Sequence, residues 1–123
     1  MTSIKIQKIC CIGAGYVGGP TMSVIADKCP DLVVRVIDIN KERIDAWNDS
    51  DLNNLPIFEP GLKDLVVKNH LSGRLKFTTN LNLAVKSSEI IFICVGTPAI
   101  KNSNSVDLKY VFRVVKDLSL IHI

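Results

Sequence analysis

The chain has 123 residues, 47% of them hydrophobic and 22% charged, a balance that excludes a disordered or low-complexity polypeptide and leaves room for one core. Fifteen Lys and Arg against twelve Asp and Glu give a net charge of +3, and the basic residues are scattered, which argues against a nucleic-acid partner. The longest fully apolar run, Ile90 to Val95, falls far short of the ~20 residues that a membrane-spanning helix needs, so no membrane partner is expected.

In chain order, Ile4 to Ile12 is rich in Ile and Cys and stops at Gly13, the pattern of a short buried strand ended by a turn. Lys5 and Lys8 ahead of Ile9 to Val17 have the outline of a signal peptide, but the glycine spacing inside that run has a better explanation below. Val17 to Cys29 carries apolar residues at helical spacing and ends at Pro30-Asp31. Leu32 to Ile39 reads as a second strand. Asn40 can cap a helix in which Ile44 and Trp47, three apart, share one face.

Asp49 to Pro60, polar and with two prolines, reads as a loop, and Gly61 to Leu71 as a helix that stops before Ser72-Gly73. Leu75 to Thr78 predicts a short strand and Leu81 to Lys86 a brief helix. Glu89 to Val95 predicts a strand covered on both faces, as in a parallel sheet. After a polar loop from Gly96 to Val106, Asp107 stands at an N-cap position before Leu108, Val111, Val114, Val115 and Leu118. Strands alternating with helices predict an α/β fold: an incomplete, Rossmann-like doubly wound parallel sheet of about four strands in the order 3-2-1-4.

Gly13-Ala14-Gly15-Tyr16-Val17-Gly18 is a G-x-G-x-x-G run between the first strand and first helix. In such a turn Gly13 allows the tight bend, Gly15 lets a pyrophosphate approach bare backbone, and Gly18 lets the helix pack closely on the strand. The helix N-terminus then turns amides and partial positive charge toward the phosphates. Asp38 closes the second strand twenty residues after Gly18, where an acid accepts hydrogen bonds from the adenosine ribose.

A carboxylate there also selects NAD over NADP. A like charge at ~4 Å and an effective dielectric of 20 costs ~4 kcal/mol, on the order of a thousandfold in affinity. Arg43 is read as flanking the adenosine, with a solvated helix arginine as the bland alternative. Val95-Gly96-Thr97-Pro98-Ala99 follows the fourth strand, across the switch point from the glycine-rich turn. The four cysteines, Cys10, Cys11, Cys29 and Cys94, form no C-x-x-C pair and read as reduced, buried thiols of a cytoplasmic protein. His70 and His122 stand alone, so no metal site is assigned.

Lys8-Ile9-Cys10-Cys11-Ile12-Gly13-Ala14-Gly15-Tyr16-Val17-Gly18-Gly19-Pro20-Thr21, then Val36 to Asn40, Arg43-Ile44, Ala46-Trp47-Asn48, Leu55 to Leu62 and Val95-Gly96-Thr97-Pro98 together resemble the NAD-binding domain of the UDP-glucose/GDP-mannose dehydrogenase family. The likeness is greatest to its UDP-glucose-oxidising members of animals and plants. The resemblance implies NAD as cofactor, with contacts at Gly13, Ala14, Gly15, Tyr16, Val17, Gly18, Asp38, Arg43, Val95, Gly96, Thr97, Pro98 and Ala99. For the full-length enzyme it implies oxidation of the sugar C6 alcohol of UDP-glucose to the carboxylate of UDP-glucuronate with reduction of two NAD, and a homo-oligomeric state. It places the catalytic Cys, and the Lys and Asp that assist it, beyond Ile123, so no catalytic residue is assigned here and the fragment alone is expected to be inactive.

The loop Asn48 to Asn54 is one or two residues longer than the family pattern, Ala99 to Val106 lacks a glycine often found there, and Leu118 to Ile123 does not resemble the family. The expected division is therefore a truncated NAD-binding domain over residues 1–117 and an atypical tail over 118–123. Two other readings compete: the same domain in a relative acting on GDP-mannose or a UDP-N-acetyl sugar, and a non-catalytic NAD-sensing module.

Overall fold

The computed structural model describes residues 5–122. The elements run β1 (Lys8–Ile12), α1 (Gly18–Lys28), β2 (Val33–Ile37), α2 (Lys41–Trp47), a 3-10 turn (Leu52–Asn54), α3 (Leu62–Leu71), β3 (Leu75–Thr78), α4 (Leu81–Lys86), β4 (Ile90–Ile93) and α5 (Lys109–His122). The strands form one parallel sheet in the order β3-β2-β1-β4, as the sequence predicts.

Local chemistry sets the boundaries. Asn40 Oδ1 accepts from the Arg43 amide at 3.1 Å and Asn80 Oδ1 from the Leu83 amide at 3.1 Å, each satisfying a donor at a helix start. Gly61, at φ 84°, turns the chain into α3, and Gly73, at φ 77°, turns it out toward β3.

Alternation along the strands sorts the core into two layers. Ile9 and Cys11 of β1, Val34 and Val36 of β2, and Leu75 and Phe77 of β3 face Met22 and Ala26 of α1, Ile44 and Trp47 of α2, and Leu62 and Val66 of α3. On the opposite face Cys10, Ile12 and Ile37 meet Ala84 and Val85 of α4, with Val114, Leu118 and Ile121 of α5 packed against them. Trp47, fully buried, stacks on Phe77 with ring centroids 4.7 Å apart. Each large apolar side chain buried in this way contributes roughly 1.5–3 kcal/mol.

Several boundaries differ from the sequence reading. β1 begins at Lys8, because Glu89 Oε1 accepts from the amides of Gln7 and Lys8 at 2.9 and 3.1 Å in place of a strand partner; Ile4 lies outside the described residues. β2 stops at Ile37, and Ile39 is 87% exposed. Asp107 Oδ1 accepts from the Lys109 amide at 2.9 Å, two positions ahead of the first helical residue, so Asp107 stands one position before the N-cap. Residues 118–122 continue α5. Cys29 is exposed and Cys94 half-buried, while Cys10 and Cys11 are buried.

The largest correction concerns β4. It spans Ile90–Ile93 and leaves Ile90, Phe92 and Ile93 about two-fifths exposed. Within the sheet β4 has β1 on one side and forms its edge. By register Ile90 and Phe92 lie beside Ile9 and Cys11, on the face of α1 to α3, whose helices cover β1, β2 and β3 and stop short of β4.

Candidate functional site

The C-terminal ends of β1, β2 and β4 bring the sequence-predicted residues to one edge of the sheet. Gly13 continues β1 at φ 114°, its amide donating to the Ile37 carbonyl at 2.7 Å. A Cβ on Gly13 would overlap the Cys94 carbonyl, and one on Gly18 would overlap the Gly13 carbonyl. Both glycines are therefore demanded by protein packing. Gly15 differs, since a Cβ there meets nothing within 4 Å. Tyr16 and Val17 beside it are exposed, and among the described residues no backbone acceptor takes the amides of Gly15, Tyr16 or Val17.

Asp38 lies just past β2 and is 9% exposed. Its Oδ2 accepts from the Ala14 amide at 3.0 Å and from Arg43 Nη1 at 3.1 Å, and its Oδ1 from the Asn40 amide at 2.9 Å. A carboxylate has about four acceptor sites, so one on Oδ1 remains for a further donor. Arg43, 43% exposed, is tied to Asp38. Val95 is half-buried beside Gly13, and Gly96, Thr97, Pro98 and Ala99 are exposed. Ala99 makes an isolated antiparallel bridge with Val106, which orders the loop that the sequence shows only as polar.

Burial pushes the Cys11 thiol up, with Cys94 beside it a lesser cause, and burial also pushes Cys10 up. Neither provides a thiolate at neutral pH. Two recesses, one of about 380 Å³ along residues 52–64 and one of about 340 Å³ between Asn48, His70, Leu71, Lys76 and Phe77, lie away from the glycine-rich turn and from residues 95–99. At the strand ends Tyr16 and Val17 on one side and Gly96 to Ala99 on the other are exposed, at the switch point where ligands of open α/β sheets bind. Among the described residues no helix is long and apolar enough to cross a membrane.

Sequence reasoning missed one contact here. Trp47 Nε1 donates to the Ala14 carbonyl at 2.9 Å, and the indole lies so close to Gly19 that a Cβ there would overlap it. The signal available was Gly19, a second glycine directly after Gly18 with no place in the six-residue pattern.

A 3-2-1-4 parallel sheet, a glycine-rich turn opening α1 and an acid at the end of β2 define a dinucleotide-binding domain of the Rossmann type. The family model described as "UDP-glucose/GDP-mannose dehydrogenase family, NAD binding domain" matches residues 7–122, and the chain belongs to that family as its NAD-binding domain. It is 50% identical over 111 residues to UDP-glucose 6-dehydrogenase of Bos taurus, covering 87% of this chain and 22% of that protein. It is 47% identical over 120 residues to UDP-glucose 6-dehydrogenase 4 of Arabidopsis thaliana, covering 92% and 24%. The chain thus spans less than a quarter of the length of these relatives. Among solved structures, GDP-mannose dehydrogenase of Pseudomonas aeruginosa, in a ternary complex, superposes with a TM-score of 0.81 at 34% identity, covering 92% of this chain and 24% of the other.

Proposed function

We propose that this domain supplies the NAD site of an enzyme that oxidises UDP-glucose to UDP-glucuronate. The observation that carries the cofactor site is the contrast among the three glycines: packing accounts for Gly13 and Gly18, whereas Gly15 opens on free space beside amides without backbone acceptors. Bare backbone and a helix N-terminus fit a pyrophosphate. In this reading Gly13, Ala14, Gly15, Tyr16, Val17 and Gly18 form the phosphate cradle. Asp38 Oδ1 accepts one ribose hydroxyl, Arg43 flanks the adenosine while pairing with Asp38 Oδ2, and Val95, Gly96, Thr97, Pro98 and Ala99 wall the crevice from the β4 side.

When bound, NAD accepts the hydride removed at the sugar alcohol; this chain's own residues bind and orient it. The catalytic nucleophile is assigned to a part of the enzyme outside these residues, consistent with the raised Cys10 and Cys11 thiols. UDP-glucose is favoured over GDP-mannose as substrate of the whole enzyme because identity is 50% to the bovine UDP-glucose enzyme and 34% to the Pseudomonas GDP-mannose enzyme. A cytoplasmic, homo-oligomeric enzyme completes the proposal.

Calorimetric titration with NAD and NADP tests the cofactor assignment. Asp38 repels a 2′-phosphate, and its ion pair with Arg43 reduces that repulsion without cancelling it. The expected preference for NAD is at least about tenfold. Equal or tighter binding of NADP would remove Asp38 from the adenosine site.

A further inference from the structure

We propose that Trp47 is a positioning residue of the cofactor site: by holding the Ala14 carbonyl inward, its indole N–H aims the Gly15 amide outward at the pyrophosphate. The inference rests on the cofactor reading above and adds a residue that the glycine-rich pattern does not contain. The Ala14 carbonyl and the Gly15 N–H belong to one peptide group. In a trans peptide these two bonds point in opposite directions, and the described chain has no cis peptide bond. Trp47 Nε1 takes the carbonyl at 2.9 Å from the core side, so the amide is turned toward the open space over Gly15.

The preceding peptide is held as well, since the Ala14 amide donates to Asp38 Oδ2 at 3.0 Å. Ala14 is thus gripped at both of its backbone polar groups, by Trp47 from α2 and by Asp38 from the end of β2. Trp47 itself has little freedom. It is fully buried, stacked on Phe77 at an interplanar angle of 5°, and pressed against Gly19. A donor fixed in this way removes a peptide rotation that would otherwise be lost on binding, and such preorganisation strengthens affinity without adding a ligand contact.

Trp47 is the one tryptophan of the chain, which allows a clean test. Trp47→Phe keeps a ring on Phe77 and removes the donor. Uniform replacement of tryptophan by benzothienylalanine keeps the bicyclic shape and removes only the N–H, which guards against a Phe variant that fails to fold. NAD is titrated calorimetrically into each protein at a temperature where circular dichroism shows it folded, and the Gly15 amide is followed by NMR before NAD is added. The expected result is about five- to tenfold weaker NAD binding in both variants, the effect of one net hydrogen bond, with a displaced Gly15 amide signal. Unchanged affinity and an unchanged Gly15 signal in the benzothienyl protein, whatever its melting temperature, would reduce Trp47 to a core residue and leave the cofactor reading intact. A wild-type chain that fails to bind NAD would overturn both.

Discussion

The two faces of the sheet are covered to different depths. On one, α1, α2 and α3 bury Met22, Trp47 and Val66 completely over β1, β2 and β3. On the other, α4 buries Ala84 and Val85 while α5 packs only partly buried Val114, Leu118 and Ile121 against this layer, and Phe112, Val115 and Leu120 stay exposed. The glycine-rich turn is held from the well-filled side by Trp47, and the Cys94 carbonyl just past β4 lies against Gly13 while the Cys94 side chain packs in the same layer as Trp47. The turn is therefore held from the core by Trp47 and bordered past Cys94 by the exposed loop Gly96 to Ala99. Rigid support and an open approach are both needed at a binding crevice.

The comparison breaks most sharply at its two aromatic residues. Trp47→Ala should cost about 3–5 kcal/mol in urea unfolding, whereas Phe92→Ala on half-exposed β4 should cost about 1 kcal/mol. Both side chains lie on the α1 to α3 face, so equal losses would mean that β4 at the sheet edge is as well packed as β1, β2 and β3. The glycines come next. Gly18→Ala forces a methyl against the Gly13 carbonyl and should destabilise by about 1–3 kcal/mol. Gly15→Val, in open space, should change the unfolding free energy by less than about 0.5 kcal/mol yet weaken NAD binding in the same preparation. A Gly15 variant that unfolds early would show that packing demands this glycine too.

A smaller effect separates the layers by pH. His70 is held below its ordinary value, mainly by burial and secondarily by Lys76, so the unfolded state binds more protons near pH 6.5. Stability from this group is present above that pH and is lost as pH falls through the lower folded value. His70→Gln should flatten that part of a pH-against-melting curve, and an unaltered slope would exclude His70 as its source. The smallest readout is chemical. Iodoacetamide should modify exposed Cys29 first and Cys94 next, leaving Cys10 and Cys11 protected until unfolding, as peptide mass spectrometry would show. Early modification of Cys10 or Cys11 would mean that the centre of the sheet opens.

Strand order, helix positions and the glycine pattern are legible in the residues because each is a local or nearest-neighbour property: alternation, caps at Asn40 and Asn80, a turn at Gly13. The exposure of β4 is not, since Ile90 to Ile93 records what a strand prefers to bury and carries no information on whether a neighbour is there to bury it. Trp47 shows the same limit. Its spacing from Ile44 gives the buried face, but the Ala14 carbonyl lies thirty-three residues away, and nothing local announces that the indole would end beneath the turn. Asp38 was legible as an acid in the right place, and its use of three acceptor sites within the protein was not.

Arg74 ties the end of α1 to the approach to β3. Its Nη1 reaches the carbonyls of Ala26 at 2.7 Å, Cys29 at 3.3 Å and Leu32 at 3.4 Å, its Nη2 meets Asn69 Oδ1 at 2.8 Å, and its own carbonyl accepts from the Val34 amide at 2.6 Å. Carbonyls at a helix end need donors from elsewhere, and here the donor is encoded more than forty residues downstream. The C-terminal corner of the first strand-helix-strand unit is therefore finished by a side chain from the approach to β3, so the end of α1 is tied to the far edge of the sheet by a residue that neither α1 nor β2 contains.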